Sequence, residues 1–142
     1  VAELVITVHG TPAPQGSKRH VGNGVMVESS KAVKPWRQAV AEAWSAGAHK
    51  PLVGPVELDV TFYVARPAGH YRKGKRLRPG ARPYPWVRPD LDKYLRATLD
   101  ALSKDVSAIS DDSRVITVRA AKRYAGMGVQ PGALIRITEV PL

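Results

Sequence analysis

Val56-Glu-Leu-Asp-Val-Thr-Phe-Tyr-Val64 alternates without a break, with Val56, Leu58, Val60, Phe62 and Val64 on one side and Glu57, Asp59, Thr61 and Tyr63 on the other. Successive strand side chains point to opposite faces, so this is a β-strand with one face against a core. Both acids sit on its solvent face, which makes that face a poor surface for a polyanion. Such a strand needs a sheet around it. Leu4, Ile6 and Val8 alternate in the same way over Glu3–His9, and two closing strands follow near 114–124 and 133–140, separated by the glycine-rich turn region 126–132. Asn23-Gly24, between β-prone residues in Val21–Val27, is a hairpin signal. Two stretches carry helical spacing instead. Between about Ser30 and His49, Val33, Trp36, Val40, Ala43 and Trp44 share one face; Pro35 fits the first turn, and Gly47 and Pro51 mark the exit. The two tryptophans on that face are expected in the core rather than as base-stacking platforms. Between Leu91 and Ser103 the expected buried stripe is Leu91, Leu95, Thr98, Leu99 and Leu102. Strands mixed with two main helices predict an α+β domain, a small mixed sheet packed with those helices.

A chain of 142 residues suits one domain over 1–142, and 44% hydrophobic residues is ordinary for a globular core. No apolar run is long enough for a membrane helix, and the N-terminus lacks signal-peptide order, so a soluble, cytoplasmic protein is expected. The absence of cysteine excludes disulfides and thiolate zinc sites. Any metal must sit on oxygen or imidazole ligands, which favours a hard cation such as magnesium. The net charge of +10 points to a polyanionic partner.

That charge is concentrated. Residues 66–89 follow no strand or helix period and carry Arg66, Arg72, Lys73, Lys75, Arg76, Arg78, Arg82 and Arg88 with no acid among them, interleaved with Tyr71, Tyr84 and Trp86. A long loop inside a small domain is commonly functional. Cations neutralise phosphates while aromatic rings stack on bases, a mixture suited to branched or unpaired nucleic acid. Arg72, Lys73, Lys75, Arg76, Trp86 and Arg88 are the DNA-binding candidates here, joined by Lys18 and Arg19 near the chain start.

Immediately after the loop the charge reverses. Six of the 12 acidic residues, Asp90, Asp92, Asp100, Asp105, Asp111 and Asp112, crowd into one short span. Asp90 falls at a helix N-cap and Asp92 in the first turn, one turn before Arg96 and about 40° from it around the helix. Two readings stand on spacing alone. Asp90 caps the helix and Asp92 pairs with Arg96; or the carboxylates hold a metal, with Asp111-Asp112 returning beside the helix start. The second explains why acids sit inside a DNA-binding surface. Magnesium takes one or two carboxylates, keeps several waters and accepts phosphate oxygens. It also lowers the pKa of water and offsets charge on a scissile phosphate. Arg96 can reach what Asp92 binds and stabilise a transition state.

Pro89-Asp-Leu-Asp-Lys-Tyr-Leu-Arg-Ala-Thr-Leu-Asp-Ala-Leu102, followed by Asp111-Asp-Ser-Arg-Val115, resembles the signature of RusA-type Holliday junction resolvases. The opening strand and Gly10-Thr-Pro-Ala-Pro-Gln-Gly-Ser-Lys18 resemble the family's N-terminus more loosely. The resemblance implies a homodimer that uses magnesium, with manganese able to substitute, to nick four-way DNA junctions in pairs during recombination and repair, in a bacterial or phage-infected cell. Asp90, Asp92 and Asp112 then match the catalytic, metal-binding carboxylates, with Asp111 as an acid beside the third. Arg96 stands where a catalytic lysine is common; arginine keeps the charge but does not readily give up a proton, so an electrostatic role survives. Lys93 stands where asparagine is common. Asp100 also fits the family pattern, but its position on the helix favours a structural ion pair. The rival reading is a DNA- or RNA-binding module without catalysis.

Overall fold

The computed structural model describes residues 3–16, 18–20, 26–28 and 31–142, with 18–20 and 26–28 described at the backbone alone. In chain order the elements are β1 (Glu3–His9), β2 (Lys18–His20), β3 (Met26–Glu28), α1 (Val33–Ala46), β4 (Val56–Val64), β5 (Tyr71–Arg72), β6 (Arg76–Leu77), α2 (Leu91–Asp100), β7 (Val115–Tyr124) and β8 (Gly132–Glu139). A π-helical turn, Ala101–Asp105, continues α2. This is an α+β fold.

Four strands form one mixed sheet in the order β1-β8-β4-β7. β8 pairs antiparallel with both β1 and β4, whereas β4 and β7 run parallel. A parallel pair needs a crossover, and here it contains the basic loop and α2. That connection delivers the loop to one end of the sheet and α2 to one face. The alternation in β4 does what it predicts. Val56, Leu58, Val60 and Phe62 are buried with Ile6 and Val8 of β1 and Ile135 and Ile137 of β8, under Trp36, Val40 and Trp44 of α1. Gly132, opposite His9, lets β8 start beside β1: a Cβ there would collide with the Val8 carbonyl oxygen.

The buried face of α2 is rotated from the expected stripe. Tyr94, Ala97, Thr98, Ala101 and Leu102 are buried, and Leu91, Leu95 and Leu99 pack partly buried at its margin. Alanine and threonine allow a close approach that a leucine seam would prevent. Tyr94 packs against Phe62 with ring centroids 5.4 Å apart, and the Trp36 indole N–H donates to Thr98 Oγ1 at 3.2 Å, joining α1 to α2. Trp36 and Trp44 are therefore core residues. β2 and β3 pair antiparallel, as the hairpin signal requires; its Asn23-Gly24 turn and the Ser30 helix start lie outside the described residues. Residues 66–89 are irregular apart from short 3₁₀ turns and the two-residue strands β5 and β6. No helix among the described residues is long and apolar enough to cross a membrane.

Candidate functional site

Asp90 occupies the N-cap of α2 with extended backbone angles (φ −70°, ψ 144°), and its carbonyl accepts from the Lys93 and Tyr94 N–H groups. Its side chain makes no capping hydrogen bond. Asp92 lies in the first turn, and the expected Asp92–Arg96 ion pair is absent among the described residues. Among the described residues the one side-chain ion pair of Asp90 is with Lys93 Nζ, at 3.9 Å between exposed groups, where screening leaves little energy. The cap-and-salt-bridge account of the two aspartates thus loses both of its side-chain contacts. Two exposed carboxylates remain within the first turn of a helix, whose N-terminal partial positive charge favours anions.

The backbone that carries them is held by a residue the sequence reading did not single out. Lys122, near the end of β7, donates from Nζ to the Val87 carbonyl at 2.8 Å and to the Pro89 carbonyl at 3.0 Å. Its register partner is Phe62, so it points to the helix side of the sheet, where a cation is out of place unless something receives it. That anomaly emerges only once β7 is paired with β4 in register. On the other flank the Gln15 N–H donates to the Lys93 carbonyl at 3.0 Å, tying the segment after β1 to the first turn of α2.

Asp111 and Asp112 return beside the end of α2, not its start. Ser103 Oγ lies 2.6 Å from Asp112 Oδ1 and 2.8 Å from the Leu99 carbonyl. Its single proton has two acceptors, of which the carboxylate is the stronger. Asp111 Oδ2 accepts from the Ser113 N–H at 2.9 Å and caps a short 3₁₀ turn. The Ser113 hydrogen bonds, aided by Arg114 and Lys104, hold the Asp111 carboxyl below its usual pKa. From Asp92 to Ser103 is 11 residues, about 16 Å along a helix axis at ~1.5 Å per residue. The chain therefore does not gather the expected carboxylates into one place. Among the described residues no group of three or more His, Asp or Glu side chains is close enough to hold a metal ion. Asp90 and Asp92 each offer hard oxygen donors in exposed surroundings, which fits a cation that takes one or two carboxylates and retains water.

A cleft of about 1070 Å³ opens between α1 and the far half of α2, and Arg96, Asp112, Lys34, Gln38 and Lys104 line it. Arg37 closes its floor with two hydrogen bonds to the Asp105 carboxylate, at 2.9 and 2.7 Å. Asp100, buried, lies 3.4 Å from Lys104 and 3.9 Å from Arg37, the structural pairing expected of it. Arg96 thus shares a cleft with Asp112.

The basic loop is docked at its root and open at its tip. Arg66 stacks over the Tyr124 ring at 4.2 Å and donates to the Arg82 carbonyl at 2.6 Å; its other contact, at 3.2 Å, is His70 Nδ1. His70 meets the Tyr124 ring edge-on at 5.7 Å. Partial burial, then the charges of Arg66 and Arg82, lower the His70 pKa below its ordinary 6.5. A neutral imidazole is what an acceptor for Arg66 requires. Arg72, Lys73, Lys75, Arg76 and Arg88 are exposed, and Trp86 is 66% exposed. Their positions suit contact with a polyanion. The Lys18 and Arg19 backbones lie in β2, and their side chains lie outside the description.

The family model for endodeoxyribonuclease RusA matches residues 9–138. A Bacillus subtilis (strain 168) protein, "Uncharacterized protein YqaN", is similar as well, 31% identical over 144 residues, covering 96% of this chain and 96% of that protein.

Proposed function

The chain belongs to the RusA endodeoxyribonuclease family, and from that premise we propose that it is a magnesium-dependent, structure-selective nuclease that resolves four-way DNA junctions by paired nicks. The observation that carries the reading is the exposed Asp90–Asp92 pair, fixed by Lys122 directly after a loop rich in cations and aromatics. Carboxylates there would repel the phosphate backbone unless a cation joined them to it.

Asp90 and Asp92 hold the metal, with manganese able to replace magnesium, and Asp112 and Asp111 are the further acids of the site. When bound, the cation supplies polarisation of the scissile phosphate and a lowered pKa for water. Lys122 sets the position of the Asp90 backbone. Arg96 places a fixed positive charge where negative charge builds on the phosphate. Lys18, Arg19, Arg72, Lys73, Lys75, Arg76 and Arg88 neutralise the junction arms, and Trp86 stacks on an unpaired base at the branch. Paired nicks call for two equivalent sites, which a two-fold homodimer presents to a junction of matching symmetry.

The separation of Asp112 from Asp92 within one chain favours one rival, a DNA-binding module without catalysis. Incubating a labelled four-way junction and magnesium with the protein and with Asp90→Asn separates them. The nuclease reading expects symmetric nicks from the first protein, none from the second, and comparable binding by both. Binding by both with nicking by neither would leave the module.

A further inference from the structure

We propose that the cavity inside the basic loop, walled by His70, Arg78, Arg82 and Trp86, seats a single unpaired DNA nucleotide, and that its arginines favour guanine there. The assignment rests on the branched-DNA reading above and gives the nucleotide displaced at a branch a place to go.

The cavity has a volume of about 430 Å³. Small-ligand sites span ~300–1,000 Å³, so this one admits a nucleotide and excludes a duplex. Its frame is braced. The Arg78 N–H donates to the His70 carbonyl at 2.8 Å and the Ala81 N–H to the Arg78 carbonyl at 3.0 Å, while Arg66 reaches across to the Arg82 carbonyl. Arg66 and His70 both rest on the Tyr124 ring, at the end of β7. The rim therefore stands before a ligand arrives, which keeps the ordering cost of binding low.

Trp86 is a fixed wall with an open face. Pro85 before it is buried, its own N–H donates to the Tyr84 carbonyl at 2.9 Å, and the Val87 carbonyl after it accepts from Lys122. Yet the indole is 66% exposed and, among the described residues, neither stacks on a ring nor donates a hydrogen bond. A flat aromatic surface held in place and left open is what a base stacks on. Arg78 is also exposed and has no side-chain partner among the described residues, and Arg82 makes one long bond, 3.4 Å, to the Tyr124 hydroxyl. Both lie outside the set of cations assigned above to the junction arms.

The rim selects the edge of the base. Its two guanidiniums are donors, the His70, Arg78 and Arg82 carbonyls already accept the bonds that brace the loop, and among the described residues no acid lines the cavity. Guanine offers two acceptors, O6 and N7, which arginine engages together, whereas adenine sets an amino donor beside N7. At a branch a base is poorly paired, so lifting it out of the stack costs least there. Trp86 lies four residues before Asp90, at most about 14 Å along the chain at ~3.6 Å per residue. A nucleotide on the indole thus stands within about four nucleotides of a phosphate at Asp90, at ~3.4 Å each. Lys122 holds the carbonyls of Val87 and Pro89 between them, so the seat and the acid keep a fixed offset.

Three duplexes test the seat by fluorescence anisotropy without added metal: one fully paired, one with a single bulged guanine, one with a bulged abasic sugar. Wild-type protein should prefer the guanine bulge to the abasic bulge by about five- to a hundredfold, the usual effect of one base–aromatic stack. Indole emission should fall as the base stacks, and because Trp36 and Trp44 are buried the change reports Trp86. Trp86→Ala should bring the guanine bulge down to the abasic level. A bulged adenine should bind about fivefold more weakly than guanine, and Arg78→Gln should close that gap. Equal binding of guanine and abasic bulges by wild type overturns the proposal, as does a preference that survives Trp86→Ala, and adenine bound as tightly as guanine overturns the selection by arginine. Free dGMP binding as tightly as the bulged strand would make this a mononucleotide site and overturn the DNA assignment. The abasic comparison needs no variant, so it decides even where Trp86→Ala fails to fold. None of these measurements requires cleavage: protein that prefers the guanine bulge yet nicks nothing loses the nuclease reading and keeps the seat, whereas a junction nuclease indifferent to the abasic sugar loses the seat alone.

Discussion

Replacing Lys122 with methionine keeps the aliphatic stem and removes the ammonium that grips Val87 and Pro89. The two hydrogen bonds, at 2.8 and 3.0 Å, have a charged donor and neutral carbonyl acceptors. Such bonds are worth roughly 1.5–3 kcal/mol each when well buried. One of these is exposed and the other half-buried, so about 2 kcal/mol for the pair is the appropriate scale. The strain falls on the segment ending at Asp90, not on the core, whose large side chains belong to other positions. If all of it appears in the transition state, the chemical step slows by about thirtyfold, at ~1.4 kcal/mol per tenfold. Single-turnover cleavage of a four-way junction with protein in excess isolates that step, and fluorescence anisotropy in calcium reports binding separately. The expected result is a rate lowered by about ten- to thirtyfold, with an unchanged dissociation constant and a melting temperature lowered by no more than roughly 10 °C, the scale of ~2 kcal/mol in a domain of this size. Lys122→Arg, which still donates to carbonyls, should recover part of the rate. An unchanged rate, or a loss fully accounted for by weaker binding, would refute the positioning role.

The basic loop should act through phosphates. Neutralising Arg72, Lys73, Lys75 and Arg76 together should shallow the dependence of log binding constant on log salt by up to about 3.6, at ~0.9 per contact on duplex arms; an unchanged slope would remove the loop from the interface. His70 should make docking of the loop root pH-dependent. Its folded-state pKa is lowered, so the docked loop favours the neutral ring: docking is complete above pH 6.5, and is lost as pH falls through 6.5 towards the lower folded value. NMR titration of the His70 ring should give a midpoint below 6.5, with Tyr124 signals following it, and a midpoint at or above 6.5 would contradict the Arg66–His70 contact.

How much of this was legible in the sequence depended on how local the cause was. The alternation in β4 follows from backbone geometry, and the structure reproduces it from Val56 to Phe62, with Val64 only partly buried at the strand's end. The loop at 66–89 was visible as a failure of every period. The face of α2 was only half legible, because leucines at 91, 95 and 99 outweigh Tyr94, Ala97 and Thr98 in hydrophobicity while small side chains decide which face comes closest. Nothing local marked Lys122 as functional. Its meaning comes from the parallel pairing with β4, which turns it inward, and from a loop some thirty-five residues earlier that passes overhead.

The site residues were legible as a set, yet their arrangement was not, and the reason is topological. Spacing within a helix fixes Asp90, Asp92 and Arg96 relative to one another. The path from Leu102 to Asp112 is set by a π-helical turn, by the Ala108 and Ile109 N–H groups donating to the Leu102 carbonyl, and by the bridge between Leu52 and Ile109. These contacts pin the returning chain at the far end of α2 before β7 begins. A parallel partner for β4 must start at the end where β4 starts, so an acid at the mouth of β7 cannot reach the start of a helix packed antiparallel to it. A fold of this connectivity keeps its two acidic motifs at opposite ends of α2 within one chain, a separation that depends on how β7 pairs with β4 and that spacing along the sequence does not carry.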